Sequence, residues 1–180
     1  MFDAVETTEE VVEDQAHEQL VFRVADMLLA IPVLQVREIF DRTPLLSLPQ
    51  APPEVLGMID VRSRSIAVID FSQKLGHGPM EAHEGSRIVV LECNALSPDE
   101  DDDAEGSPDD AQLLAILTDG VVGVTALEQA DDQHLPTVGE RWDATCMTNL
   151  GRLPTGEVVI RLDLEVMFGG DDYRVFSARA

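Results

Sequence analysis

Few residues of this 180-residue chain have the type and spacing to do chemistry. His77 and His83 stand with five residues between them in a Gly/Pro-rich loop, and two imidazoles can start a zinc site. A third ligand at a workable spacing is missing, so both are read as solvated loop histidines. Asp99, Asp101 and Asp103 alternate as in a calcium loop, but the sixth position is Ala104 rather than glycine and the twelfth is Asp110 rather than glutamate. That segment is read as a solvated charge run. Cys93 and Cys146 share no C-x-x-C spacing and are expected as buried free thiols in a reducing compartment. Asp60 and Asp70 flank one putative hairpin and could pair for acid–base work, although acids at strand ends more often cap turns. There is no Gly-Lys-Ser/Thr loop, no G-x-S-x-G elbow and no G-x-G-x-x-G after a strand, and Lys74 is the only lysine. The sequence therefore points to a binding module with no catalytic residue, no cofactor and no metal.

The residues left to explain are two arginines. The chain holds 12 basic and 35 acidic residues, yet Arg62 and Arg64 sit together between the apolar runs Leu56–Val61 and Ile66–Ile69. A hairpin over this stretch puts both guanidiniums at its tip, where a partner can reach them. Arg62 could instead bond carbonyls of its own turn, or pair with Glu38 to brace the fold; Arg64 is expected to be solvated. The net charge of −23 disfavours nucleic acid and anionic membranes as partners. Fifteen of those charges come from residues 1–18 and 97–110, which contain no Lys or Arg. The rest of the chain is only mildly acidic. With no 18-residue apolar run and no signal-like N-terminus, a cytoplasmic location is expected.

The elements that must position the arginines are short strands. Residues 1–18 bury nothing and read as a flexible acidic tail; residues 19–170 read as one domain with a low-complexity acidic loop at 97–110; residues 171–180 are a C-terminal tail. Leu20–Val24 alternates with strand period, and Leu28–Ile31 follows a turn. Pro32 opens a short helical segment, with Val33, Val36, Ile39 and Phe40 at helical spacing and one or two turns expected over 33–39. Leu45–Leu48 is expected as a strand ending at Pro49, and residues 49–53 as a rigid connector. Ile88–Cys93 and Leu113–Thr118 are strand candidates, Asp119-Gly120 signals a tight turn, and Val121–Leu127 continues extended. A late hairpin closes through residues 154–156 and a helical turn over Leu164–Phe168 ends the domain; Trp142 is placed to anchor the loop before that hairpin. Ile66–Ile69 and Ile88–Leu91 are apolar on both faces, as expected where two sheets press together. The pattern is all-β.

Three blocks carry a resemblance. "LVFRVADMLLAIPVLQVREIF", "LPQAPPEVLGMIDVRSRSIAVIDF" and "LLAILTDGVVGV" together resemble the CheW family of bacterial chemotaxis coupling proteins. Phe22, Val24 and Ile31 fall on the first motif, Val36, Glu38 and Ile39 on the second, Pro49, Pro52, Gly57, Arg62 and Asp70 on the third, and Asp119 and Val121 on the fourth. The likeness runs from about Leu20 to Phe168. The resemblance implies two intertwined five-stranded SH3-like barrels sharing a hydrophobic core, with short helical turns. It also implies a non-catalytic adaptor that couples the cytoplasmic tips of methyl-accepting chemoreceptors to a CheA-type histidine kinase, a monomer alone and ring-forming with the kinase. Val36, Glu38, Gly57 and Arg62 are the partner-binding candidates; Val36 is expected mainly in the core, and Gly57 to serve backbone conformation. Where the family has Asn, Gly and Pro, this chain has Asp60, Ser63 and Ala67. A Cβ at the glycine position suggests a hairpin tip of different shape, and a diverged scaffold serving a non-flagellar or non-array system is the alternative. A ligand-binding or enzymatic barrel is a remote one.

Overall fold

The computed structural model describes residues 18–93, 112–130 and 146–169. The acidic segment at 97–110, Trp142, His17, His134 and both tails up to residue 17 and from residue 170 lie outside the described residues.

Eleven strands occur among the described residues: β1 (Glu18–Val24), β2 (Met27–Pro32), β3 (Val36–Asp41), β4 (Val55–Val61), β5 (Arg64–Asp70), β6 (Arg87–Cys93), β7 (Gln112–Thr118), β8 (Gly120–Ala126), β9 (Glu128–Gln129), β10 (Met147–Arg152) and β11 (Val158–Leu162). Two helical pieces, α1 (Phe71–Lys74) and α2 (Leu164–Phe168), are one turn each. The strands form a six-stranded sheet in the order β8-β1-β2-β11-β10-β9 and a five-stranded sheet in the order β3-β6-β7-β5-β4. The first two strands and the last four build one sheet, while β3 to β7 build the other. The chain is all-β and SH3-like, with the sheets interleaved along the sequence. The expected pair of five-stranded sheets gains a sixth strand, the two-residue β9.

Strands that are apolar on both faces explain how the sheets join. Ala67, Ile69, Val89, Leu91, Leu114 and Ile116 of the five-stranded sheet share one core with Leu20, Phe22, Leu29, Ile31, Leu150 and Ile160 of the other. Their neighbours in sequence point the opposite way, because successive side chains of a strand alternate between faces. Ile59, Val61, Ile66, Val68, Ile88, Val90, Ala115 and Leu117 therefore fill a second cluster, capped by Phe40 and Leu45, around which all five strands of their sheet wrap. Val21, Leu28, Ala30, Leu153 and Val159 fill a third, in the six-stranded sheet. Phe71 in α1 sits between Phe22 and Phe168, with ring centroids 5.8 and 6.2 Å away, and ties both sheets to the helical turns. Cys93 and Cys146 are buried within this shared core, and neither forms a disulfide. Burial, and after it the carboxylates of Glu165 and Glu92, pushes the Cys93 thiol up to about 12.

Three sequence expectations change. Only Val33–Gln35 is helical, as a single 3-10 turn, and the segment expected to continue the helix is instead β3. Its burial alternates, with Val36, Glu38 and Phe40 turned inward, because β6 offers a two-sided apolar strand that pairs Phe40 with Ile88 and Val36 with Leu91. Tertiary pairing outweighs a helical spacing too short to nucleate by itself. Leu45–Leu48 forms no strand but a single bridge, Leu46 with Met58. Asp119-Gly120 is not a hairpin turn: β7 ends in one sheet and β8 begins in the other. Asp119 secures that crossing, its N–H donating to Arg23 O at 3.0 Å and its Oδ2 accepting from Ala25 N–H at 2.6 Å.

Candidate partner-binding rim

The β4–β5 hairpin carries Arg62 at its tip. Val61 pairs with Arg64, leaving Arg62 and Ser63 as a two-residue loop. Both have left-handed backbone, with φ of 50° and 65°. Positive φ at both central residues is the turn whose twist matches that of paired strands. The tip therefore keeps the geometry that a glycine would adopt at no steric cost, contrary to the expectation that Ser63 reshapes it. Ser63 bears about 1 kcal/mol for its Cβ there. Below the tip, Ser65 Oγ donates to Asp60 Oδ1 at 2.7 Å, a cross-strand bond one rung back from the turn.

Arg62 pairs with Glu38, the bracing contact posed as one of its alternatives. The side chain of Arg62 is 82% exposed and that of Glu38 only 23%. Glu38 lies on β3, one edge of the five-stranded sheet, and the hairpin begins with β4, the other edge. The ion pair thus spans the seam where the sheet curls back on itself, above the apolar seam made by Phe40, Leu45, Ile59 and Val61. An exposed pair of this kind adds only about 0–1 kcal/mol to stability. Its larger effect is to hold an accessible guanidinium in place. Arg64, the first residue of β5, is half-buried rather than fully solvated.

Gly57 serves the closure beneath this rim, and Val36 the shared core. Gly57 has φ of 149°, and β4 shifts register there. A Cβ at Gly57 would lie 2.5 Å from Leu46 O, so the missing side chain admits the neighbouring chain. Leu46 N–H donates to Met58 O and Met58 N–H to Leu46 O, both at 2.8 Å. Gly57 accordingly serves the backbone, as expected from sequence. Val36 is half-buried against the shared core. Of the four candidates, Glu38 and Arg62 meet directly, while Gly57 admits the Leu46 bridge and Val36 packs on the shared core.

The other chemistry-bearing residues do not converge. Asp60 is exposed near the tip, whereas Asp70 is 1% exposed at the far end of β5. The two are separated by about 16 Å of strand. Asp70 Oδ1 accepts from Gln73 N–H at 3.0 Å as the cap of α1, and Oδ2 accepts from Met80 N–H at 2.8 Å. It is a structural acid. His83 Nδ1 accepts from Gly85 N–H at 3.0 Å, and its Nε2 lies 3.9 Å from Asp119 Oδ1. No group of three His, Cys, Asp or Glu among the described residues is arranged to hold a metal. No described helix is long and apolar enough to cross a membrane.

Sequence reasoning missed the outward apolar residues. Leu34, Ile39 and Leu46 are 58%, 42% and 70% exposed, and Val122 and Val124 on β8 are 53% and 47% exposed. On β8 the exposed set is Val122, Val124 and Ala126 and the half-buried set is Val121, Gly123 and Thr125, so the more apolar face of the strand points outward, the reverse of what alternation alone suggests.

Comparison with known proteins agrees with this architecture. The family model for the CheW-like domain matches residues 18–171. The chain is 35% identical over 156 residues to the chemotaxis protein CheW of Rhizobium meliloti (strain 1021), covering 86% of this chain and 89% of that protein. It is 31% identical over 75 residues to a probable chemotaxis protein CheW of Rhizobium etli, covering 42% of this chain and 48% of the relative. In structure it is similar to the scaffolding protein TtCheW of Thermoanaerobacter tengcongensis, with a TM-score of 0.65, 19% identity, and coverage of 87% of this chain and 95% of that one.

Proposed function

The chain belongs to the CheW-like family, and from that premise we propose that this scaffold protein couples methyl-accepting chemoreceptors to a CheA-type histidine kinase in the cytoplasm, without catalysing a reaction. The observation that carries this reading is the Arg62–Glu38 rim: an 82%-exposed cation held by a tight turn and an ion pair on an otherwise acidic protein. A fixed guanidinium gives register and orientation against acidic groups of a partner, while apolar contacts supply most of the affinity. Exposed Ile39 and Leu46 lie on the elements flanking the rim, and Val122 and Val124 give a second apolar face. A receptor's helical hairpin is a ligand of the helix-in-groove kind. Ser63 retains the left-handed turn, which removes one motive for reading the chain as a scaffold with altered partners.

The test is binding of the purified protein to the CheW-like regulatory domain of its own organism's CheA-type kinases, and to receptor cytoplasmic fragments, with Arg62→Ala and Glu38→Gln alongside. Micromolar binding by wild type, about −8 kcal/mol, weakened at least tenfold in Arg62→Ala at unchanged thermal midpoint, is the expected result. Failure of the wild type to bind any kinase or receptor fragment would sink the proposal.

A further inference from the structure

Away from the rim, the chain passes from one sheet to the other at Asp119, between β7 and β8, and the loop leading into β6 lies against this crossing. A Cβ added at Gly120 would meet Gly85 O at 3.4 Å, and one added at Gly85 would lie 3.7 Å from Asp119 O. Two bonds close a turn in that loop: Ser86 N–H donates to His83 O at 3.0 Å, and the buried Ser86 Oγ accepts from His83 N–H at 2.9 Å. A third bond depends on protonation. Gly85 N–H donates to His83 Nδ1 at 3.0 Å, so Nδ1 offers a lone pair and the ring proton sits on Nε2. Nε2 lies 3.9 Å from Asp119 Oδ1, while Oδ2 of the same carboxylate accepts from Ala25 N–H at 2.6 Å in the β1–β2 turn. Ala25 has left-handed backbone there, with φ of 52°. One imidazole therefore stands between its own loop and the carboxylate that ties the two sheets.

A proton added to this ring cannot leave the arrangement unchanged. Nδ1–H and Gly85 N–H would both be donors, so their bond is lost. The new charge has a carboxylate at hand: among the described residues, Asp119 is the one whose oxygen the ring nitrogens approach. The other charged groups around it are engaged elsewhere or exposed. Arg87, at the head of β6, holds Asp41 and the carbonyls of Glu84 and Ser86. Glu81 and Glu84 are exposed on the loop itself, and Arg23 and Asp26 are exposed on the β1–β2 hairpin. The His83 side chain is 57% exposed, so the ring has room to turn. We propose that His83 is a proton-operated clasp at the crossing: neutral, it closes its own loop through Gly85, and protonated, it releases Gly85 and pairs with Asp119. Histidine changes charge between about pH 5 and about pH 8, which sets the working range. In the protonated state the Asp119 carboxylate shares its charge between His83 and Ala25 N–H, so the signal reaches the β1–β2 turn of the other sheet.

The experiment follows the isotope-labelled full chain by NMR from about pH 8 to about pH 5. At the alkaline end a coupling through the hydrogen bond between Gly85 N and His83 Nδ1 is expected, and it should vanish as the His83 ring titrates. The Ala25 amide proton should move upfield with the same midpoint, because its acceptor's charge is then shared. Asp119→Asn keeps an oxygen for Ala25 N–H but offers no charge to the imidazolium. It should hold the Ala25 resonance flat while the Gly85 coupling and its loss remain. His83→Gln, at an exposed loop position, should flatten the Ala25 resonance as well, and it gives the answer should Asp119→Asn fail to fold. No coupling at the alkaline end, a coupling that survives protonation of the ring, or an Ala25 titration unchanged in His83→Gln would overturn the proposal.

Discussion

In the six-stranded sheet the two edge strands, β8 and β9, follow one another with only Leu127 between them. In the five-stranded sheet the edge strands, β3 and β4, are separated by residues 42–54. The first sheet is drawn together by the chain itself, with Leu127 packed inward and its carbonyl held by Arg161. The second is drawn together by side chains and one backbone bridge: the Arg62–Glu38 pair, the Phe40 and Leu45 contacts, and Leu46 against Met58. A covalent join costs nothing to keep, whereas a side-chain seam has to be specified residue by residue. The exposed ionic part of the seam contributes little stability. That makes it the part of the fold most open to use by a partner.

The core beneath both closures is shared, and it gives the largest expected effect. Phe71→Ala removes the ring between Phe22 and Phe168, at a site with no solvent exposure. We expect a loss of about 3–5 kcal/mol in one cooperative transition by urea denaturation. Two separate transitions would mean that the sheets are independent units, and the contrast between their closures would then be one between domains.

Matched glycine substitutions compare the closures directly. At Gly57 an added Cβ would lie 2.5 Å from a backbone oxygen, Leu46 O, in a left-handed conformation. At Gly151 it would meet Leu127 Cδ1 at 2.8 Å and Cβ at 2.9 Å, side-chain atoms, with no positive φ. Gly57→Ala is expected to cost about 1–3 kcal/mol and Gly151→Ala less, because Gly151 has no positive φ and the nearest of its contacts is a rotatable leucine methyl rather than a bridged carbonyl. Hydrogen exchange should speed up in residues 45–61 of the first variant and leave β10 and β11 protected. The reverse order would mean that the backbone bridge at Leu46 is dispensable to the seam.

How much of this was legible in the sequence follows the same division. The two-faced strands Ile66–Ile69 and Ile88–Leu91 announced the shared core, since nothing but burial on both sides accounts for unbroken apolar runs. The β3 edge reads as helix because Val36, Ile39 and Phe40 share a helical face, while Val36 and Phe40 alone also share one face of a strand, and only β6 decides between the two. Asp119-Gly120 was misread as a hairpin because local turn chemistry carries no record of which sheet comes next. In the candidate site, Arg62 and Glu38 could be named and their pairing posed as one alternative, but contact between residues 24 positions apart needs the seam itself.

The smallest expected effects test the seam's tip. Arg62→Ala should change stability by no more than about 1 kcal/mol, since the guanidinium is mostly solvated in the folded chain as in the unfolded one. Ser63→Gly should act in the opposite direction to most substitutions. Its φ of 65° is one that glycine adopts freely and a residue with a Cβ does not. Glycine also gains freedom in the unfolded chain, which offsets part of that benefit. The net is a stabilisation of about 0.5–1 kcal/mol, measurable as a rise in the denaturant midpoint at constant slope, with partner binding unchanged. A fall in the midpoint would mean that the tip relaxes out of the left-handed turn in solution, and that Arg62 is held by Glu38 alone.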